Sequence, residues 1–217
     1  MPKVLPTPSI VFEDNHFMAI DKPPGWLVQS DQTGDDDLIS HFQEYLRKRD
    51  AKPGNVYLSA VHRLDRPVGG LVLMAKTSKA ASRMGRQFQE QQVRKIYLGI
   101  CRKRPDPEHL ILVHFLQKDS AKNRVHVYDK PKGQAKRAET HVQMIGEADR
   151  KVLLLLEPRS GRPHQIRAQL SRTGLPLVGD LRYGATMETP DKSLGLHALA
   201  LGFVHPVSKT WLLLRTP

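Results

Sequence analysis

A single cysteine, Cys101, stands among 217 residues. A lone thiol forms no internal disulfide and no paired-cysteine metal clamp, so a reducing compartment is expected. No apolar run approaches the roughly 20 residues that a membrane helix requires. The opening residues, MPKVLPTPSIVFEDNH, lack a long apolar stretch and bring acids in early, so no secretory leader is expected. The chain has no G-x-x-x-x-G-K-S/T phosphate loop, no G-x-G-x-x-G turn and no G-x-S-x-G nucleophile elbow. The ten histidines include no H-E-x-x-H pair, and His62, His164 and His197 are far apart, which makes metal binding the weaker reading. These absences lead to the expectation of a soluble cytoplasmic protein that uses no metal, nucleotide or redox cofactor and needs no membrane.

What is abundant is positive charge. Lys and Arg number 34 against 22 acids, a net charge of +12. Such an excess attracts polyanions, nucleic acid first among them, although a solubilising surface would carry the same charge. With 39% hydrophobic residues the chain can bury a core. Its length suits one large domain or two small ones. No repeat, low-complexity tract or composition shift marks a boundary, so residues 1–217 are expected to form one domain and a monomer.

Local patterns place the elements. Short strands are expected at Ile10–Glu13 and Phe17–Asp21, followed by a rigid turn at Asp21-Lys22-Pro23-Pro24-Gly25. Asp35-Asp36-Asp37 starts a helix carrying Leu38, Ile39, Phe42, Tyr45 and Leu46 at helical spacing, and a loop at Ala51–Asn55 follows. The continuous apolar run Leu71–Ala75 reads as a buried strand, and Ser78 as the N-cap of a second helix. Strands are then expected at Ile96–Ile100, Leu110–Leu116, Val125–Tyr128, Ala138–Ile145 and Val152–Leu156. A helix over Pro163–Arg172 and a closing hairpin of His197–His205 with Thr210–Arg215 complete an α+β fold with a largely antiparallel sheet.

Four clusters could carry chemistry. In His62-Arg63-Leu64-Asp65-Arg66-Pro67-Val68-Gly69-Gly70 an acid lies between two arginines, which favours its ionised form. The alternative is a solvated salt-bridge turn. In Arg159-Ser160-Gly161-Arg162-Pro163-His164-Gln165-Ile166-Arg167 a glycine turn enters a helix whose first N–H groups suit an anion, or the helix simply has a basic solvent face. Tyr97, in Arg94-Lys95-Ile96-Tyr97-Leu98, is either a site residue or sheet packing. Finally, residues 118–137 hold seven basic side chains, among them Lys122, Arg124, Lys130 and Lys132, against Asp119 and Asp129. This segment reads as a protruding hairpin with Pro131 and Gly133 near its turn. It would either straddle a phosphate backbone or guard an edge against aggregation.

These clusters, in this order, resemble the RluA family of pseudouridine synthases over nearly the whole chain. The resemblance is carried by Ile10–Asp14, Asp21–Gly25, His62–Asp65, Lys95–Tyr97, Gly161–Arg167, Gly179-Asp180 with Tyr183-Gly184, and Leu196–Ala198. The chain has Val68-Gly69 where the family usually has Thr-Ser, and Pro163 where it usually has Thr or Ser. About twenty residues precede Asp21, so the S4 RNA-binding domain of many relatives is not expected. The resemblance implies a pseudouridine-synthase-like domain with its active-site cleft across the sheet. Asp65 would be the catalytic aspartate, Arg167 its salt-bridge partner, and Tyr97 the residue stacked on uracil. Arg63 would enter the RNA when the uridine flips out, and Ile166 would wall the base. Arg66, Arg162 and His164 are expected to join the arm residues in binding a ribosomal or transfer RNA stem-loop. A non-catalytic RNA-binding protein or chaperone that keeps the fold is the alternative.

Overall fold

The structure, a computed structural model, describes residues 6–51 and 54–217. The chain groups into two compact units, one formed by the chain up to Val93 with Ala198–Pro217, the other by Arg94–His197. No Pro-, Gly- or Ser-rich linker occurs at either division, which is why composition carries no trace of them.

In the first unit, β1 (Ser9–Glu13) and β2 (Phe17–Lys22) form a hairpin. The Asp14 carboxylate shapes its turn by accepting the N–H groups of His16 and Phe17, both at 2.7 Å. Helix α1 (Leu38–Arg49) begins where the acidic run predicts, with the Asp37 side chain capping the Ser40 N–H at 3.0 Å and Arg47, Lys48 and Arg49 in its last turn. The expected loop after it lies partly outside the described residues. The two-residue strand β3 (Ser59–Ala60) pairs with β4 (Gly69–Ala75), which also pairs with β2. Helix α2 (Ser78–Gln89) is capped by Thr77 rather than Ser78, the Thr77 hydroxyl accepting the Ala80 N–H at 3.2 Å.

Every residue of β4 is buried, because both faces of the sheet are covered. Phe17, Ala19, Leu71 and Leu73 pack with Ala80 and Met84 of α2. Met18, Ile20, Val72 and Met74 pack with Leu38, Phe42 and Leu46 of α1. A strand buried on both sides needs no polar alternation, hence the unbroken apolar run.

The second unit is built on strands β5 (Arg94–Cys101), β6 (His109–Asp119), β7 (Arg124–Tyr128), β8 (Lys136–Ala148) and β9 (Lys151–Pro158). Their order is β5-β9-β8-β6-β7, and each of these pairings is antiparallel. Helix α3 (Gln165–Arg172) covers one face, where Ala168 packs with Leu116, Val125 and Ala138. Ile111, Val113 and Ile145 are exposed. The 118–137 segment differs from the expected single hairpin. The β6–β7 turn lies at Ser120–Asn123, while Pro131 and Gly133 sit in the separate β7–β8 connection. Both turns are polar and glycine- or asparagine-bearing, so composition alone could not rank them.

The chain closes with β10 (Leu196–Val204) and β11 (Trp211–Arg215), the antiparallel hairpin expected from the sequence. In the first unit β10 pairs with β4.

Candidate active site

In the first unit, the segment His62–Val68 leaves β3 and returns as β4. Pro67 fixes one backbone angle, and the Val68 N–H donates to the Asp65 carbonyl at 3.0 Å, closing a tight turn. Leu64, immediately before Asp65, packs against the core beside α1 and ties the turn inward, while Arg63 is exposed. Asp65 itself is half-buried. Arg66 is exposed, yet its guanidinium is engaged, by the Asp35 carboxylate at 2.7 Å and the Gly25 carbonyl at 3.0 Å.

Lys22, at the end of β2, anchors this turn. It is fully buried, and its Nζ donates to the carbonyls of Trp26 at 2.9 Å, Arg66 at 3.1 Å and Pro23 at 3.2 Å. Three acceptors match the three protons of an ammonium. Burial pushes Lys22 down to about 7, while the charge of Asp65 opposes that shift and Arg66 adds to it. Asp21–Gly25 reads in the sequence as a rigid turn and as part of the family resemblance, and neither reading gives this lysine a role. The one available signal is a charged residue at the end of an otherwise apolar strand.

In the second unit, Lys95 and Tyr97 share one face of β5, since strand side chains alternate. Tyr97 lies opposite Leu156 of β9. The Lys95 ammonium donates to the Ser160 carbonyl at 2.8 Å, and burial, with Arg159 adding, pushes it down to about 8.

The turn after Ser160 folds around Gln165. Its Oε1 accepts the Ser160 hydroxyl at 2.8 Å and the Arg162 N–H at 3.0 Å, and its Nε2 donates to the Glu139 carbonyl at 2.9 Å and Thr140 Oγ1 at 3.0 Å. Every polar valence of that buried amide is filled. His164 adopts a left-handed backbone, φ 47°. Such a conformation costs a non-glycine residue on the order of 1–3 kcal/mol. It also delays the helix, which begins at Gln165 rather than Pro163.

That strained residue places its Nδ1 3.0 Å from the hydroxyl of Tyr183, which also accepts the Val125 N–H at 2.8 Å. Tyr183 is buried, and burial pushes its phenol up. Its ring lies 5.1 Å from the Arg167 guanidinium and 5.8 Å from that of Arg124. Arg167 is buried on α3 and held in a fork by Asp180, Nε to Oδ2 at 2.7 Å and Nη2 to Oδ1 at 2.9 Å. A bidentate pair fixes the plane of the guanidinium as well as its position. Asp180 and Tyr183 enter the family resemblance without a role, and the structure shows them as the residues that orient Arg167. Ile166, next to it, is buried.

Within the first unit, Arg63, Asp65 and Arg66 therefore share one turn. Within the second, His164, Arg167 and Arg124 converge on Tyr183. Arg162 lies on the Gln165 turn, its Nε 3.4 Å from the Arg137 carbonyl. Lys122, Lys130 and Lys132 are exposed on the arm, with the Lys132 ammonium 4.7 Å from the Tyr128 ring centroid.

Residues 16–172 match the family model described as RNA pseudouridylate synthase. The chain belongs to the RNA pseudouridylate synthase family. Among curated members, the ribosomal large subunit pseudouridine synthase C of Buchnera aphidicola subsp. Baizongia pistaciae (strain Bp) is 31% identical over 216 residues, covering 96% of this chain and 66% of its own length. The tRNA pseudouridine synthase C of Pectobacterium carotovorum subsp. carotovorum is 31% identical over 220 residues, covering 92% of this chain and 56% of its own. This chain thus spans just under two thirds of the first relative and little more than half of the second. Among solved structures, human RNA pseudouridylate synthase domain containing 1 superposes with a TM-score of 0.77 at 26% identity, over 100% of this chain and 86% of that one. The α+β architecture is accordingly that of the RNA pseudouridylate synthase family.

Proposed function

We propose that this protein isomerises uridine to pseudouridine in structured ribosomal or transfer RNA, with Asp65 as the essential catalytic carboxylate. The observation that carries the reading is the family match over residues 16–172, which spans both Asp65 and Arg167. The reaction breaks the N1–C1′ bond, turns the freed uracil and joins C5 to C1′; the C5 proton leaves and N1 gains one. A base in a stem or folded loop must first leave its stack, at a cost of a few kcal/mol. Arg63, exposed beside Asp65, suits the space the base vacates. The ionised Asp65 carboxylate then acts at the sugar, either attacking C1′ or removing the C2′ proton. Tyr97 stacks on the uracil and Ile166 gives it an apolar wall, while Arg167, fixed by Asp180, supplies the compensating positive charge. Arg66, Arg162, His164 and the arm residues bind RNA, and the protein acts in the cytoplasm as a monomer.

Tritium release from RNA labelled at uridine C5 tests this. Asp65→Asn should abolish release while RNA affinity and the unfolding midpoint stay near wild type. Turnover retained in the variant ends the assignment of Asp65. Binding without release by the wild-type protein, on RNA from cells lacking it, supports the RNA chaperone instead.

A further inference from the structure

His62 opens the catalytic turn but has no part in the reaction proposed above, and its hydrogen bonding is unusual. Strand β3 pairs with β4 at Ser59↔Ala75 and Ala60↔Met74. The next pair in register is Val61 with Leu73. In a regular antiparallel ladder two such residues exchange both backbone bonds. Only one is made here in the usual way, from the Val61 N–H to the Leu73 carbonyl at 3.2 Å. The other donor, the Leu73 N–H, goes to Nε2 of the His62 imidazole at 3.0 Å. A side chain has taken the place of a strand carbonyl.

Leu73 is fully buried, so its N–H needs an acceptor, and without His62 the chain would have to continue as a strand to supply one. The imidazole lets the backbone leave the sheet at Val61 without stranding that donor, and three residues after His62 the chain reaches Asp65. The ring is also fixed from the other side, stacked on Phe88 of α2 with centroids 5.2 Å apart and planes 25° apart. The turn is thus anchored at both ends, by the His62 ring at its start and by the Arg66 carbonyl, held by Lys22, at its finish.

We propose that His62 is a positioning residue. As a neutral imidazole protonated on Nδ1, it substitutes for the β3 carbonyl opposite Leu73 and so sets where Asp65 stands. The inference rests on Asp65 being the catalytic carboxylate. The requirement on the tautomer is strict, because an N–H donor needs a bare nitrogen lone pair opposite it. Displacing a catalytic group by about 1 Å costs roughly 100-fold in rate.

The test compares His62→Leu, which cannot accept, with His62→Gln, whose amide oxygen can. The expected result is a single-turnover rate about 100-fold lower in His62→Leu at saturating protein. RNA affinity should change less than about threefold, and His62→Gln should recover most of the rate. Exchange of the Leu73 amide should be slow in wild type and in His62→Gln, and fast in His62→Leu. A wild-type rate in His62→Leu overturns the proposal, as does a slow His62→Gln whose Leu73 amide stays protected. Should His62→Leu not fold, nitrogen-15 correlation spectra of the wild-type imidazole decide alone. A proton on Nδ1 supports the proposal, and one on Nε2 overturns it. If wild-type protein releases no tritium, the functional reading fails first, while amide exchange and tautomer still report on the anchor.

Discussion

Lys22 carries the heaviest electrostatic strain described in the first unit. Its ammonium satisfies three carbonyls in a place where burial penalises its charge, and its pKa falls from the usual 10.5 to about 7. Between those values the unfolded chain holds a proton that the folded chain has lost. Stability from this group therefore rises as pH increases from about 7 toward 10.5 and is flat below. Urea midpoints of wild type and Lys22→Met at pH 7 and pH 9.5 check the sign, since the difference between them should widen with pH. Lys22→Met should also leave its carbonyl partners short of a donor and lower stability by about 3 kcal/mol, with turnover lost alongside as the Asp65 turn loosens. An unchanged midpoint in Lys22→Met would show that water replaces the ammonium. The role expected of Asp65 comes from the family resemblance, since its arginine neighbours alone also fit a solvated salt-bridge turn, whereas Lys22 has no such signal. The same reading that recognises a turn from Pro and Gly gives no sign that a strand-end lysine folds back into it.

At the scale of elements, patterns that depend on neighbours in sequence survived and those that depend on neighbours in space did not. The Asp37 cap, the buried β4 run and the β10–β11 hairpin follow from local rules, and all three stand where they were expected. The start of α3 is displaced because Gln165 captures the turn before it and His164 is forced left-handed, a bargain struck with Tyr183 nineteen residues away. The Gly69-Gly70 pair shows how a motif can hold a packing reason that sequence leaves silent. Gly70 has φ +111°, and a Cβ there would stand 2.3 Å from the Ala198 carbonyl oxygen and 2.5 Å from its nitrogen. Backbone atoms in a sheet cannot yield as a flexible side chain does. Gly70→Ala should cost about 3 kcal/mol or more, measured as a fall in the urea midpoint. Gly85, inside α2 with open space around it, offers the opposite case. Gly85→Ala should raise stability by about 0.5–1 kcal/mol through helix propensity. Equal effects from the two substitutions would refute this account of the β4–β10 approach.

For the whole molecule the question is where the proposed RNA affinity would come from, given a net charge of +12. The acids of the 118–137 segment are already engaged. Asp129 pairs with Arg172 at 2.6 Å, and the Asp119 carboxylate accepts the Lys122 N–H at 3.1 Å with His126 at 3.6 Å. The lysines and arginines there consequently present an excess of positive charge on two exposed turns and the β7 strand. Arg124 and Lys132 lie near the rings of Tyr183 and Tyr128, which limits their reach and holds them in place, while Lys122 and Lys130 extend from the turns. We expect the four to grip phosphates flanking the target uridine. Replacing Lys122, Arg124, Lys130 and Lys132 by Ala should weaken RNA binding and leave single-turnover chemistry at saturating protein nearly unchanged. Each phosphate that is no longer neutralised should flatten the slope of log K against log salt by roughly 0.7–0.9. If the two ring-bound cations contribute little, the effect comes from Lys122 and Lys130, and the double variant Lys122→Ala with Lys130→Ala should account for most of the change. Salt titrations of wild type, double and quadruple variants on one stem-loop RNA separate these outcomes. A slope unmoved in the quadruple variant would assign the arm to edge protection and place the affinity with other basic residues, Arg63 among them.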